Sequence, residues 1–257
     1  MRVAILGAGA FGVAIGDILL NNGHSVHYYD PKIKGCRLEN IISGAGYIVL
    51  ALPSEFVNDM LPLLPKDIPL IVATKGLLSD SYFSDFQNYI IISGPGFADD
   101  IKAKKKTHLT TTSEQAIKLL ANDYLTFDVT SDKLGVLMCG ALKNVYAILA
   151  GFWNLLPGTS EHGLFLADAV KEMKEILSAN DADPRTVGLA CGEQDLRITC
   201  GSPSRNYEFG QKLRTDLNYK PEKTIEGIST LKRIKQNEII IPKDAKLLKE
   251  LIAESLK

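Results

Sequence analysis

Lys143 and Asn144 lie midway along a stretch, Leu134 to Leu156, that carries no other charged side chain. An ammonium inside an apolar helix loses much of its hydration, at a cost of several kcal/mol unless partners compensate. A fold alone has no use for that expense. A proton-transfer site does, because a desolvated lysine has a tunable pKa and can give or take a proton. The plainer alternative is a lysine that snorkels to the surface near a bend. The stretch therefore reads as the floor of a catalytic pocket, with Asn144 beside the reacting group.

A second motif precedes it. Gly7-Ala-Gly9-Ala10-Phe11-Gly12 follows the apolar run Arg2-Val-Ala-Ile-Leu6 and opens a helical pattern from about Phe11 to Asn21. The first glycine permits a tight turn, the second lets the backbone approach a pyrophosphate, and the third allows close helix–strand packing. The anion would sit on free N–H groups at the helix N-terminus. Asp30 ends the next apolar run about 20 residues on, where a ribose-binding carboxylate belongs. It favours NAD, while Lys32, Lys34 and Arg37 could neutralise a 2′-phosphate and keep NADP open.

These groups must be held by a scaffold. After the first strand, β runs fall at His24–Tyr29, Tyr47–Leu52, Leu70–Thr74, Ile90–Ser93, Thr107–Thr111 and Leu125–Asp128, with helix-length segments between several of them. That alternation predicts βαβ units and a mainly parallel, doubly wound sheet. Asn22-Gly23 ends the first helix. After Thr130 only helical patterns remain. Thr130 or Ser131 can cap the long apolar helix, and Glu161–Asn180 is amphipathic, with Leu164, Phe165, Ala169, Met173 and Leu177 on one face. The expected architecture is α/β: a Rossmann-like dinucleotide-binding domain over residues 1–130, then an all-helical substrate and catalytic domain over 131–257.

Composition narrows the class. The chain has 257 residues, 46% of them hydrophobic, and a net charge of −1, which fits a soluble globular protein and argues against a nucleic-acid surface. The one basic run, Lys102 to Lys106, reads as a solvated turn. Cys36, Cys139, Cys191 and Cys200 are scattered and suit free thiols in a reducing cytoplasm. Neither they nor His24, His27, His108 and His162 show metal-ligand spacing, so no metal is expected. Glycines and Asp17 break the apolar N-terminus, unlike a signal peptide. Leu134–Leu156 is long enough to span a bilayer at about 20 residues, but Lys143 and Asn144 at its centre favour a buried helix.

Eight stretches, in order, resemble the bacterial-type NAD(P)-dependent glycerol-3-phosphate dehydrogenases. They are Gly7–Gly12, Ala51-Leu-Pro-Ser54, Ala73-Thr-Lys-Gly-Leu77, Ser93-Gly-Pro-Gly-Phe-Ala98, Gly140-Ala-Leu-Lys-Asn-Val145, Asp195-Leu-Arg-Ile-Thr-Cys200, Ser204-Arg-Asn206 and Glu226-Gly227. The resemblance covers almost the whole chain. It implies interconversion of dihydroxyacetone phosphate and sn-glycerol 3-phosphate, supplying glycerophospholipid synthesis. On that basis Lys143 is the catalytic acid/base, with Asp195, Asn144 and Thr199 around it. Lys75, Arg205, Ser204 and Asn206 bind substrate, together with Gly94 and Gly96. The cofactor positions are Gly7, Gly9, Ala10, Phe11, Gly12, Asp30, Lys75, Ala98, Arg205 and Glu226. Self-association as a homodimer through the helical half is a further expectation.

Three departures from the family pattern stand out. The segment between Asp30 and Ala45 is short. Gly96 stands where the family has Ser or Thr, so a substrate-bonding hydroxyl is missing, although its backbone N–H could serve. Cys191-Gly-Glu-Gln-Asp195 is one residue longer than the family's Gly-Leu-Gly-Asp turn, which bears on where Asp195 falls. Two other readings are a related two-domain dehydrogenase for another small keto or hydroxy acid, and a non-catalytic dinucleotide-binding sensor.

Overall fold

The structure, a computed structural model, describes residues 1–201 and 203–254. By internal contacts the chain forms two compact units. The first comprises Met1–Thr74 and Asp80–Lys133; the second comprises Lys75–Ser79 and Leu134–Lys257.

The first unit runs β1 (Arg2–Leu6), α1 (Ala10–Asn21), β2 (Ser25–Tyr29), α2 (Leu38–Ile42), β3 (Tyr47–Leu50), α3 (Val57–Met60), β4 (Leu70–Val72), β5 (Tyr89–Ser93), α4 (Ala98–Lys102), β6 (Thr107–Thr111), α5 (Glu114–Leu120) and β7 (Leu125–Val129). The seven strands form one sheet in the order β2-β1-β3-β4-β5-β6-β7, parallel except between β5 and β6. Val3 to Leu6 have no exposed surface, β4 is buried, and so are β3 and β5 beyond their first residues, Tyr47 and Tyr89. Such continuous Val/Ile/Leu runs are what a sheet covered on both faces requires. Between β1 and β3 the strand order reverses, which opens a crevice at their carboxyl ends.

Two of the expected strands end early. Those expected to reach Leu52 and Thr74 stop at Leu50 and Val72. Pro53 has no N–H to continue a ladder, and the Thr74 hydroxyl instead donates to the carbonyls of Leu50 (3.2 Å) and Leu52 (2.9 Å). The short segment after Asp30 folds as two successive turns, Ile33 N–H to Asp30 O and Cys36 N–H to Ile33 O, followed by α2. Residues 102–106 are exposed, as a solvated turn should be.

The second unit is built on α6 (Lys133–Phe152), followed by α7 (Ser160–Ala179), α8 (Asp195–Thr199), α9 (Arg205–Thr215), α10 (Glu226–Lys235) and α11 (Lys246–Glu254). Every residue of α6 from Gly135 to Gly151 is buried. It is the one helix among the described residues long and apolar enough to cross a membrane, and 94% of its apolar window is buried within the protein. Backbones approach it closely where side chains are missing. A Cβ on Gly151 would lie 1.9 Å from the Tyr207 carbonyl oxygen, and one on Gly210 2.0 Å from that of Ile148. Each fully buried Leu, Ile or Val of α6 contributes roughly 1.5–3 kcal/mol, which anchors the helix against the cost of its one buried lysine, Lys143.

Two local expectations are corrected. The long helix begins at Lys133, and the Thr130 hydroxyl accepts from Asp132 N–H rather than capping the first turn. On α7, Leu164 is 69% exposed, and the buried face carries His162, Phe165, Leu166, Ala169, Glu172, Met173, Ile176 and Leu177. At 100° per residue Leu164 falls beside Phe165 in sequence but off the stripe that meets the core.

Candidate active site

The nucleotide turn follows from β1. Gly7 takes φ +108°, which side-chain-bearing residues rarely adopt, and a Cβ there would lie 2.6 Å from the Ala51 carbonyl oxygen after β3. This places the turn on the crevice where the strand order reverses. A Cβ on Gly12 would lie 2.0 Å from the Gly7 carbonyl oxygen, whereas one on Gly9 would meet nothing within 4 Å. Tight packing below and open space above suit a backbone that receives a ligand. Helix α1 has no capping side chain and no acidic residue in its first turn, so its own sequence leaves the positive end of its dipole available to an anion. The Asp30 carboxylate accepts from Ala8 N–H (3.2 Å) and Lys32 N–H (2.9 Å), which fixes a negative charge at the end of β2. These residues fit a dinucleotide. Phe11 and Ala98 pack against the core cluster of this unit. Gly12→Ala is expected to weaken NADH binding at least about tenfold in a fluorescence titration, the equivalent of one good contact. Unchanged affinity would argue against this cradle.

Gly94 and Gly96 also belong to the first unit. Gly94 has φ +145° and lies against Leu109. The N–H of Gly96 donates to the Gly94 carbonyl at 2.8 Å, so the backbone donor expected to replace the missing hydroxyl is already engaged. A Cβ on Gly96 would press on Leu109 Cδ2 (3.2 Å) and Ile101 Cδ1 (3.3 Å). The position is apolar and tight.

In the second unit Lys143 is 4% exposed; it does not snorkel. Its ammonium donates to Asp195 Oδ1 and, at 3.1 Å, to Thr199 Oγ1. Asp195, 1% exposed, accepts on Oδ2 from Lys75 Nζ at 3.3 Å. Two cations thus share one buried carboxylate. Burial brings the Lys143 pKa down to about 7; Asp195 opposes the fall and Lys75 adds to it. Burial acts to raise the Asp195 pKa, but Lys143 and Lys75 outweigh it and hold the carboxyl below its usual range.

The extra residue before Asp195 has a structural answer. Ala190–Gln194 forms a π turn between the 3-10 turn Pro184–Gly188 and α8. A π turn absorbs one additional residue within a helical path, and Asp195 still meets Lys143. Gly192 makes this possible, since a Cβ there would lie 2.2 Å from the Val187 carbonyl oxygen.

Beside Lys143 runs a chain of amides. Gly227 N–H donates to Asn206 Oδ1 (3.0 Å), Asn206 Nδ2 to Asn144 Oδ1 (3.0 Å), and Asn144 Nδ2 to the Gly140 carbonyl (3.1 Å). Ser204 is buried and caps α9, accepting from Tyr207 N–H. Arg205 is exposed at the first position of α9 and lines an open pocket with Glu208, Lys212, Tyr219 and Lys223. Glu226 opens α10. Lys75, Lys143, Asp195 and Thr199 are therefore linked in one hydrogen-bonded cluster and Asn144 and Asn206 in a second, both within the second unit, with Ser204, Arg205 and Glu226 adjoining in sequence. The site reading missed Gly227, although Glu226-Gly227 was the available signal.

A doubly wound sheet with a glycine-turn cradle, and a helical unit centred on a buried lysine, define the class of nicotinamide-dependent dehydrogenases. A family model described as "NAD-dependent glycerol-3-phosphate dehydrogenase C-terminus" matches residues 132–251. Glycerol-3-phosphate dehydrogenase [NAD(P)+] of Pseudomonas entomophila (strain L48) is 32% identical over 285 aligned positions, covering 91% of this chain and 83% of that protein. The alignment is longer than this chain, so the relative carries segments that it lacks. Among solved structures, glycerol-3-phosphate dehydrogenase from Coxiella burnetii matches with a TM-score of 0.78 at 22% identity, covering 99% of this chain and 98% of that one. The Plasmodium falciparum enzyme gives 0.80 at 19% identity, covering 99% and 91%; both likenesses show the fold. The chain belongs to the NAD(P)-dependent glycerol-3-phosphate dehydrogenase family.

Proposed function

We propose that this enzyme reduces dihydroxyacetone phosphate to sn-glycerol 3-phosphate, and catalyses the reverse, with Lys143 as the acid/base. The observation that carries the reading is the buried Lys143–Asp195 pair, joined by the partly exposed Lys75, in a member of this family. The nicotinamide cofactor, when bound, supplies the hydride for the ketone carbon. The protein must then provide a proton at oxygen. Lys143 has three ammonium hydrogens; Asp195 and Thr199 take two, leaving one for a substrate oxygen. There it polarises the carbonyl, stabilises the growing alkoxide and delivers the proton.

Asp195 keeps Lys143 aimed and supports its charge. Thr199 accepts from Lys143 and passes its own hydrogen to the Asp195 carbonyl, so its lone pairs face the ammonium. Asn144 and Asn206 orient the substrate hydroxyl. Arg205 and Ser204 grip the phosphate, for which a guanidinium fork is suited. Gly7, Gly9, Ala10, Phe11, Gly12, Asp30 and Ala98 would hold the cofactor, and Lys75, Arg205 and Glu226 are assigned to it by the family motifs. The product supplies glycerophospholipid synthesis in the cytoplasm, and the enzyme works as a homodimer.

The test is NADH and NADPH oxidation with dihydroxyacetone phosphate, beside unphosphorylated dihydroxyacetone and a 2-keto acid. Turnover of the phosphorylated ketone alone is the expected result. The engaged N–H and apolar surroundings of Gly96 favour a second reading, a changed substrate on the same plan. Turnover of the 2-keto acid in place of the phosphorylated ketone would establish it. Tight dinucleotide binding with no turnover of any of the three would instead mark a sensor.

A further inference from the structure

Helix α8, Asp195–Thr199, is five residues long yet carries two of the groups that surround Lys143. A single turn gains little from its own hydrogen bonds, so its geometry must be imposed at its ends. At its start the π turn is seated against Val187 through Gly192. At its end lies the Cys200 carbonyl, one of the acceptors that a helix terminus leaves without an internal partner. That oxygen is met at 2.9 Å by Nε2 of His162.

His162 is itself held. It is 5% exposed, and it sits in the first turn of α7 with its backbone N–H on the capping hydroxyl of Thr159 at 3.2 Å. A carbonyl can only accept, so Nε2 must carry the hydrogen, which selects one imidazole tautomer. Cys200 follows Thr199 directly, so a shift of its carbonyl moves the Thr199 hydroxyl and, through one helical turn, the Asp195 carboxylate.

We propose that His162 is a positioning residue for the reaction: its imidazole fixes the C-terminal end of α8 and so holds Thr199 and Asp195 on Lys143. This rests on the reading of Lys143 as the acid/base. The imidazole bonds the Cys200 carbonyl rather than Lys143 or Asp195 and acts through the backbone.

The experiment compares wild type with His162→Leu, His162→Asn and His162→Gln, measuring kcat, KM for dihydroxyacetone phosphate and the pH dependence of kcat/KM. Gln carries an amide nitrogen where Nε2 stands, whereas Asn keeps polarity but is too short to reach Cys200. Leu and Asn are expected to lower kcat about tenfold, a small displacement being costly in a positioned site, with KM changed by less than about twofold. Their high-pH inflection is expected to move downward as Asp195 loosens from Lys143, and Gln is expected to restore both quantities. If Leu does not fold, the Asn and Gln pair decides. An Asn variant with wild-type kcat and inflection would overturn the proposal, even with a lower Tm. Asp195→Asn and Lys143→Ala run alongside: if they cripple turnover while the His162 variants do not, only this inference falls. If they too are fully active, the reading of the centre fails instead.

Discussion

Lys143→Ala is expected to lower kcat for dihydroxyacetone phosphate reduction at least about 10³-fold while NADH still binds. Loss of a positioned general acid accounts for about 10²–10⁴, and loss of its charge beside the developing alkoxide adds to that. The fold should persist, because Asp195 keeps Lys75 as its partner. Dinucleotide affinity should persist too, since the residues proposed to hold the cofactor, the glycine turn and Asp30, are untouched. Stopped-flow turnover and NADH fluorescence on the same preparation check both halves, and normal turnover by the variant would remove Lys143 from the mechanism.

The wild type carries the matching pH signature. Burial brings the Lys143 pKa down to about 7, and ketone reduction needs its protonated form. The kcat/KM for reduction should therefore fall as pH rises through that value. For alcohol oxidation, which needs the free amine, kcat/KM should rise through the same inflection.

Asp195→Asn should be nearly as damaging, and in a distinguishable way. The substitution keeps size but removes the carboxylate that Lys143 and Lys75 share. The influence of Asp195 raises the Lys143 pKa, while burial and Lys75 lower it. Without Asp195 the downward influences act unopposed, and at neutral pH the ammonium becomes an amine. Reduction should drop about 10²–10³-fold near neutrality, the range of one lost acid, and recover in part as the pH is lowered. A variant whose loss is the same at every pH would show that Asp195 serves only to aim the lysine.

Much of this was legible in the residues. The apolar runs of β1, β3, β4 and β5 are long enough and pure enough to require a sheet covered on both sides. The glycine spacing marks a tight turn after β1, since Gly7 and Gly12 sit where a Cβ would meet backbone atoms. Lys143 is conspicuous because it is the lone charge between Leu134 and Leu156, a stretch otherwise fit for the core.

What stayed hidden depends on contacts that residue type and spacing do not reveal. Nothing local says that an extra residue before Asp195 winds into a π turn; that follows from Gly192 meeting Val187 and Asp195 meeting Lys143. The N–H of Gly96 looks free until the Gly94 carbonyl is seen to take it. Leu164 looks like part of an apolar stripe until the packing shows which side of α7 is covered. His162 has no signature at all, because its acceptor is a backbone carbonyl 38 positions on.

The segment Lys75–Ser79 groups with the helical unit although Thr74 and Asp80, on either side, group with the sheet. The gene therefore does not encode this chemistry in one continuous block. A fragment starting at residue 131 would include Lys143, Asp195 and Thr199 but leave behind the second ammonium, 120 positions upstream of the carboxylate it shares. During synthesis Lys75 leaves the ribosome well before its partners exist, and the centre closes only after Thr199 has been made. A chimaera that borrowed its helical half from a relative would, for the same reason, need to borrow the Lys75 loop as well.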